Sequence, residues 1–352
     1  MTNLNISTLA SYLQLNGSIR SLQQSLLDGQ KELSTGVKAD LMAALGSQTT
    51  ADVDLRNAYA ETTEFKTTAS VVGIRLDTMQ TALGSIKDAL DKARTQALTA
   101  TSPVARQQLQ QLAKTTIDQI NSLLNAQIGG RYLFAGTQTE TAPIQGQNDV
   151  NAATALSPQQ AVAQIVANLG PMTDATSALN VANGTDGVSS LFDDSNSNAN
   201  LRFTPTLYNG ATTGTVTARL DRGYQVDYGL RADDPAMRDA LQGLYMLASV
   251  PSGSVPDDAY AAWQSEALNH LDKGFEGVIG MASKVGYQQS AIADATTRHD
   301  STLAQLNTQI VNLEQADPYE TSARLSQLQT QLEATFQVTA RMSQLTLTKF
   351  LT

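Results

Sequence analysis

Cysteine is absent from this chain of 352 residues, and histidine occurs only as His270 and His299. The lack of cysteine excludes disulfides, thiolate zinc sites, cysteine nucleophiles and iron–sulfur clusters. Two histidines this far apart in sequence also exclude a metal site built from several histidines. We therefore expect the protein to hold no metal and no other cofactor.

Aromatic residues make up only 5% of the chain, which is low for a compact sandwich or barrel core. No stretch reaches the ~18 consecutive apolar residues of a transmembrane helix. The first residues show no basic run followed by an apolar block, so we expect no cleaved secretory signal. The missing cysteines have two interpretations that stay open. Either they reflect chance or a cytosolic protein, or they suit export of an unfolded chain that must not oxidise on the way.

Basic residues are outnumbered, with 23 Lys and Arg against 33 Asp and Glu, which gives a formal net charge of −10. Binding to nucleic acid or to an anionic membrane needs a basic face, so neither is expected. The sequence contains no phosphate-binding loop, no dinucleotide-binding glycine motif after a strand and no nucleophile elbow. We therefore expect a protein that is not an enzyme, with no catalytic residues.

What the sequence does contain is heptad spacing of apolar and small residues. Fourteen positions from Ala51 to Ala97 alternate in steps of four and three, and fourteen more do so from Leu268 to Leu313. A period of 3.5 predicts helices that pair with other helices, each roughly 70 Å long here. Antiparallel pairing would place Ala51 beside Leu313, so we predict a mainly α fold built on a long antiparallel coiled-coil rod.

Breaks in this pattern predict where the helices begin and end. Ser102-Pro103 is typical of a helix N-terminus, and the helix that follows is expected to include Ile128 and to stop at Gly129-Gly130. Pro256 is expected to precede the long C-terminal rod helix, and Pro318 to separate it from a last helix.

The middle of the chain, residues 136–256, predicts a small α+β surface insert. Residues 158–169 and 234–249 are typical of short helices, and residues 201–230 alternate as strands do. A hairpin turn is predicted at Leu207–Ala211 because of its Asn-Gly pair. The expected domains are therefore 1–48 with 318–352, 49–135 with 257–317, and 136–256.

The two terminal helices lie beyond the rod and have few partners within one chain. Such short helices are marginal in water, so we expect them to be disordered in the monomer and to fold on assembly as an inner layer. The assembly residues predicted from their heptad positions are Tyr12, Leu15, Ile19, Leu22, Leu26, Leu33, Leu325, Leu328, Leu332, Val338, Met342 and Leu345.

Several polar features resemble sites without completing one. Asp194-x-Asn196-x-Asn198 begins like a calcium loop, but Ala199 and Pro205 occupy the positions of its glycine and closing glutamate, so a flexible polar surface loop is predicted. The aspartates of residues 221–239 are interpreted as turn formers rather than a metal or sugar site.

Two further features concern the C-terminal rod helix. His270 is expected at a solvated edge, whereas His299 is expected to pack on the seam. Gly274, Gly277 and Gly280 would each weaken a helix by roughly 1 kcal/mol. These glycines indicate either a local weakness that the helix tolerates or a helix–helix contact at which another backbone approaches closely.

Three segments carry a resemblance to a known family. They are Lys31–Gly36, Gly130–Thr137 and Ala340–Leu351, and with the rod they resemble the flagellin family of bacterial axial proteins. The second segment resembles the family's hairpin motif, represented here by Gly130, Arg131, Tyr132, Leu133, Phe134 and Gly136. The third resembles the hook–filament junction branch of the family. After Gly36 the sequence departs from the usual family pattern, which leaves the conformation of the first linker open. This departure resembles the alphaproteobacterial form of the junction branch.

The resemblance implies a location and a set of partners. It implies export without cleavage through the flagellar type III apparatus, with a cytoplasmic chaperone on the C-terminal segment. It further implies an extracellular ring of copies between the other hook-associated junction protein and the first flagellin layer. Two alternatives remain: a flagellin of the filament itself, and a secreted adhesin or enzyme whose activity lies in the insert.

Overall fold

The computed structural model describes residues 3–251 and 253–350, without the side chains of residues 3–9, 11 and 342–350. It is 71% helical, which confirms the predicted helical class. The helices are α1 (Asn3–Thr35), α2 (Leu41–Leu45), α3 (Thr49–Thr99), α4 (Pro103–Leu124), α5 (Pro158–Asn168), α6 (Ala175–Asn183), α7 (Val188–Phe192), α8 (Phe203–Thr206), α9 (Pro235–Ser249), α10 (Asp257–Glu314) and α11 (Pro318–Phe350). The strands β1 (Gln127–Ile128) and β2 (Arg131–Tyr132) form one antiparallel pair, and β3 (Val216–Asp221) and β4 (Tyr224–Tyr228) form another.

The chain divides into two compact units. The terminal unit contains the residues up to Thr63 and those from Asp300 onwards, and the central unit contains Glu64–His299. The three-part domain division expected from the sequence stays a prediction.

In the central unit, α3 and α10 pair in antiparallel fashion. Gln289 donates to Asp77 at 2.6 Å, and Arg94 donates to Asp272 at 2.5 Å, so residue numbers rise along one helix as they fall along the other. The heptad positions of α3 are buried here, as a coiled-coil seam requires. They are Ala69, Val72, Leu76, Met79, Leu83, Ile86, Leu90, Ala93 and Ala97.

Helix α10 also buries a second stripe of residues, which the heptad analysis did not identify. These residues recur every seven positions: Tyr260, Ala267, Gly274, Met281, Gln288 and Ala295. The stripe faces α9 and the β3–β4 hairpin, since Gly274 lies against Ala240 and Gln288 donates to the carbonyl of Asp227 at 3.0 Å. Helix α10 is therefore packed on two sides.

Three predicted helix boundaries hold and one is wrong. Ser102 caps α4 by accepting a hydrogen bond from the amide of Ala105 at 3.2 Å, and the breaks before Asp257 and Pro318 are confirmed. However, α4 ends at Leu124, so Ile128 lies in β1 and not in the helix.

The early end of α4 has a local cause. The side chain of Asn125 pairs with the backbone of Ile144, to which it donates at 2.8 Å and from which it accepts at 3.0 Å. These long-range bonds lead the chain away from the helix axis.

The two predicted insert helices are α5 and α9, but the predicted hairpin turn at Leu207–Ala211 is wrong. Tyr208 instead pairs with Ile144, and the amide of Asn209 donates to Pro143 at 2.8 Å. The hairpin lies further on, between β3 and β4. Its turn is at Gly223, whose φ of +78° is a conformation that glycine adopts readily.

The segment predicted as a flexible polar loop is instead tied down by its side chains. Asn196 is only 1% exposed and donates to the hydroxyl of Ser190 at 2.7 Å, while Asp194 forms an ion pair with Arg238 at 2.7 Å. Within residues 3–251 and 253–350, no group of three or more His, Asp or Glu residues is arranged to hold a metal ion.

The predicted environment is confirmed for one histidine and wrong for the other. His299 is buried and bonds through Nε2 to the carbonyl of Leu220 at 2.7 Å, which confirms its packing role. His270 was expected at a solvated edge, and this is wrong. It is buried beneath α9, with Nδ1 2.7 Å from Asp239 and Nε2 2.8 Å from Gln242.

Candidate assembly site

The candidate site is the pair of terminal helices, α1 and α11, which pack against each other within the terminal unit. Gly29 is buried in α1, and a Cβ placed on it would lie 2.9 Å from Cδ2 of Leu325 in α11. Arg324 pairs with Glu32 beside this contact. The absence of a side chain at Gly29 thus lets Leu325 approach the α1 backbone.

The two linkers next to these helices bind each other as short extended segments. The amide of Ala316 donates to the carbonyl of Gly36 at 2.9 Å. The amide of Lys38 donates to the carbonyl of Glu314, also at 2.9 Å. The first linker, whose conformation the sequence left open, is therefore bonded to the segment that joins α10 to α11.

Side chains reinforce this linker pairing. Nζ of Lys38 donates to the carbonyl of Leu313 at 2.7 Å, which places a cation on the negative end of α10. The amide of Ala39 donates to Glu32 at 3.1 Å. Glu32 therefore holds both the linker and, through its ion pair with Arg324, helix α11.

A charged group joins the start of α3 to the end of α10. Arg56 bonds to Glu314, from Nε at 2.7 Å, and lies 3.3 Å from Asp52. The hydrogen bond that Arg56 donates to Glu314 is the main cause that raises the pKa of Arg56 above its ordinary value. Oδ1 of Asp52 is buried and has no partner in the described part of the chain.

The predicted assembly residues differ in how far they are covered. Leu325 is buried, whereas Tyr12, Leu33 and Val338 are about half exposed, at 55%, 47% and 49%. The partly buried members are Leu15, Ile19, Leu22, Leu26, Leu328 and Leu332. The side chains of Met342 and Leu345 lie outside the described part of the structure.

Other apolar residues on the same two helices were not predicted from the sequence. Leu13, Leu27, Tyr319 and Phe336 are exposed, at 62%, 57%, 87% and 48%. They lie off the heptad positions, so a search for a single seam passes over them. They could have been found by searching the polar face of each predicted helix for apolar side chains.

The six residues of the hairpin motif lie in the central unit. Gly130 occupies the β1–β2 turn, and Arg131 and Tyr132 form β2. Leu133 and Phe134 follow and are buried in the core. A Cβ on Gly136 would lie 3.2 Å from that of Ala211, so close packing favours glycine there.

The exposed apolar side chains of α1 and α11 are available for contact with other protein surfaces. Among the described residues, no helix is both long and apolar enough to cross a membrane.

Comparison with known proteins agrees with this architecture. The model of the bacterial flagellin N-terminal helical region matches residues 6–139, and that of the C-terminal helical region matches residues 268–351. No curated protein matches the sequence.

Two solved structures share the fold. The chain is similar to a flagellar hook-associated protein from Vibrio parahaemolyticus, with a TM-score of 0.53 and 13% identity over 77% of this chain and 99% of that one. It is also similar to FlgL of Bacillus cereus, with a TM-score of 0.50 and 13% identity over 73% of this chain and 98% of that one. Because both helical regions of the family are matched, the chain belongs to the bacterial flagellin family.

Proposed function

We propose that this protein is a structural subunit of the bacterial flagellum that forms the junction between hook and filament, as a type 3 hook-associated protein. The observation that carries the proposal is the incomplete burial of the terminal helices. Among the residues of α1 whose burial is described, only Gly29 is buried. Among those of α11, only Thr321 and Leu325 are buried.

Such a helix pair gains little free energy from burial within one chain. Burial of apolar surface contributes roughly 25 cal/mol per Å², and isolated helices are marginal in water. In contrast, 11 of the 15 residues of α9 are buried. The exposed apolar side chains of α1 and α11 suit further helices packing around them, as in a tube of subunits.

The choice of the junction within the family rests on two supports. The C-terminal segment Ala340–Leu351 resembles junction proteins, and the similar structure from Vibrio parahaemolyticus is named as a flagellar hook-associated protein. The proposed partners are further copies of this chain, the other hook-associated junction protein and flagellin. Under this proposal the protein is extracellular, and no catalytic residue is assigned to it.

Delivery follows from the same proposal. The chain is exported uncleaved through the flagellar type III apparatus, and a cytoplasmic chaperone holds its C-terminal segment before export. Residues 136–256 form the outward surface of the ring, and α1 and α11 form its inner layer.

The proposal is tested in cells that lack the gene. Electron microscopy is expected to show bare hooks, and a blot of the medium is expected to show shed flagellin, because the filament has no base on which to assemble. Restoring the intact gene is the control. Filaments that persist but are shorter or fewer would assign the chain to the filament instead and overturn the junction role.

A further inference from the structure

A cleft of about 730 Å³ opens in the terminal unit beside the end of α1. It is lined by Gln24, Asp28, Lys31, Thr35 and residues 37–42. The four helical residues recur at steps of four, three and four, so they form one stripe along α1. This stripe lies roughly 160° around the helix from the seam at Leu22, Leu26 and Gly29. The cleft therefore opens on the face of α1 that points away from α11.

The matching feature on α11 is Tyr319. Its side chain is 87% exposed, and its backbone amide donates to Asp317 at 2.8 Å at the start of α11. It lies roughly 140° around α11 from the buried stripe of Thr321 and Leu325. Tyr319 therefore projects from the face of α11 that points away from α1.

The cleft and Tyr319 lie at the same level of the helix pair. The cleft includes Val37 and Lys38, which pair with Gln315 and Glu314, and Tyr319 follows this pairing by a few residues. The two features thus occupy opposite outer faces of one two-helix layer. A contact between such different faces is heterologous, and it generates a ring when its rotation closes.

The cleft combines apolar residues with charges of both signs, since Asp28 and Asp40 line it as well as Lys31. Val37 and Met42 give the cleft an apolar wall, with Met42 75% exposed. Lys31 is exposed in the cleft and forms no ion pair with any residue that the structure describes. Glu320 is exposed beside Tyr319 and likewise has no cationic partner in that part of the chain.

We propose that Tyr319 of one copy inserts into the α1 cleft of the next copy, with Glu320 against Lys31. The tyrosine ring packs on the apolar wall, and the carboxylate and the ammonium group form an ion pair at the rim. This contact rests on the proposed function, because it supplies the lateral step of the ring.

The absence of cysteine makes a direct test possible. A disulfide needs two Cα atoms within about 7 Å. Positions 35 and 319 of one copy lie on opposite faces of two packed helices, each about 10 Å across, so a disulfide between copies is expected in preference to one within a copy. We expect the variant with Thr35→Cys and Tyr319→Cys to form covalent multimers in oxidised, sheared flagella, as seen on non-reducing gels. Each single variant should stay monomeric.

A matched control pairs Thr35→Cys with Tyr287→Cys, since Tyr287 is also strongly exposed, at 78%, but lies in the central unit. This variant is expected to form no multimers. If the variant with cysteines at positions 35 and 319 is present in the flagella but gives only monomers on the gel, the proposed contact is wrong and the proposed function is unaffected. Absence of the intact chain from flagella would overturn the proposed function, and this contact with it.

A charge exchange tests the same contact without cysteine. Lys31→Glu and Glu320→Lys should each weaken the contact about two- to five-fold, as expected for an exposed ion pair. The double variant should restore retention of the chain in flagella, because it re-forms the pair in reverse. If the double variant is retained no better than the single variants, and all have the helical content of the original protein, the proposed contact is wrong.

Discussion

A Cβ placed on Gly274 would lie 2.6 Å from the Cα of Ala240, so the backbones of α10 and α9 touch where these two residues meet. A Cβ on the next glycine of α10, Gly277, would overlap the Cβ of Ala236 and lie 3.2 Å from its Cα. Gly280 has open space around the position of a Cβ. Close approach of another backbone therefore explains the first two glycines but not the third.

Gly274→Ala is expected to lower the free energy of unfolding by about 1–3 kcal/mol, the usual cost of overpacking. The atoms in the way are backbone atoms of Ala240, which cannot turn aside as a flexible side chain can. The loss should occur although alanine favours a helix by about 1 kcal/mol over glycine. Urea unfolding of the full chain, followed by circular dichroism, measures it.

Gly280→Ala is the matched control on the same helix. It is expected to raise the free energy of unfolding by up to about 1 kcal/mol, because only helix propensity changes. If both substitutions stabilise the protein, the contact between Gly274 and Ala240 does not limit the packing of α9 on α10.

The paired helices could be predicted from sequence because heptad spacing is a local signal. The second stripe of α10 was not found, because a single seam was traced along the helix and this stripe lies beside it, repeating only every seven residues. The error at His270 follows from this omission, since α9 covers the face on which His270 lies.

The other errors arose where long-range bonds compete with local preference. The Asn-Gly pair at 209–210 favours a hairpin turn, but Asn209 is bonded to Pro143. Ile128 continues the apolar pattern of α4, yet Asn125 directs the chain towards Ile144. Within the candidate site, the heptad positions do not include Tyr319, because it lies on an outer face of α11.

Acid is expected to weaken the insert through Asp186. The hydroxyl and the amide of Ser197 both donate to its carboxylate at 2.6 Å, and these bonds hold the pKa of Asp186 below its ordinary value of 3.8. In the folded state the carboxylate therefore binds a proton less readily than in the unfolded state. Its contribution to stability is complete above the unfolded pKa and is lost as pH falls through the lower folded pKa.

Asp186→Asn should therefore make the free energy of unfolding fall less steeply between about pH 4 and pH 2. Asparagine tolerates the φ of +58° at this position, so the backbone is preserved. Ser197→Ala should flatten the same profile, because it removes one of the two donors. Identical slopes for the original protein and both variants would contradict this role of Asp186.

Limited proteolysis of the purified monomer should cut α1 and α11 before α3, α9 and α10 of the central unit. Segments that bury few apolar side chains open locally at low free energy, and cleavage follows opening. Mass spectrometry of the fragments from a protease of broad specificity measures the order of cuts. Equal resistance of all five helices would count against folding on assembly.

Leu22→Asp and Leu332→Asp are each expected to block incorporation into flagella while the central unit stays folded. Both leucines are partly buried on the terminal helices, where a carboxylate would lose hydration on assembly without gaining a partner. Leu98→Asp serves as the control, because Leu98 is 68% exposed on α3 in the central unit. The measurements are motility, electron microscopy of the flagella and thermal unfolding of the purified chains. Full motility in either terminal-helix variant would show that these positions do not lie in the assembly contact, whereas a lowered Tm of the main transition would show that they support the monomer instead.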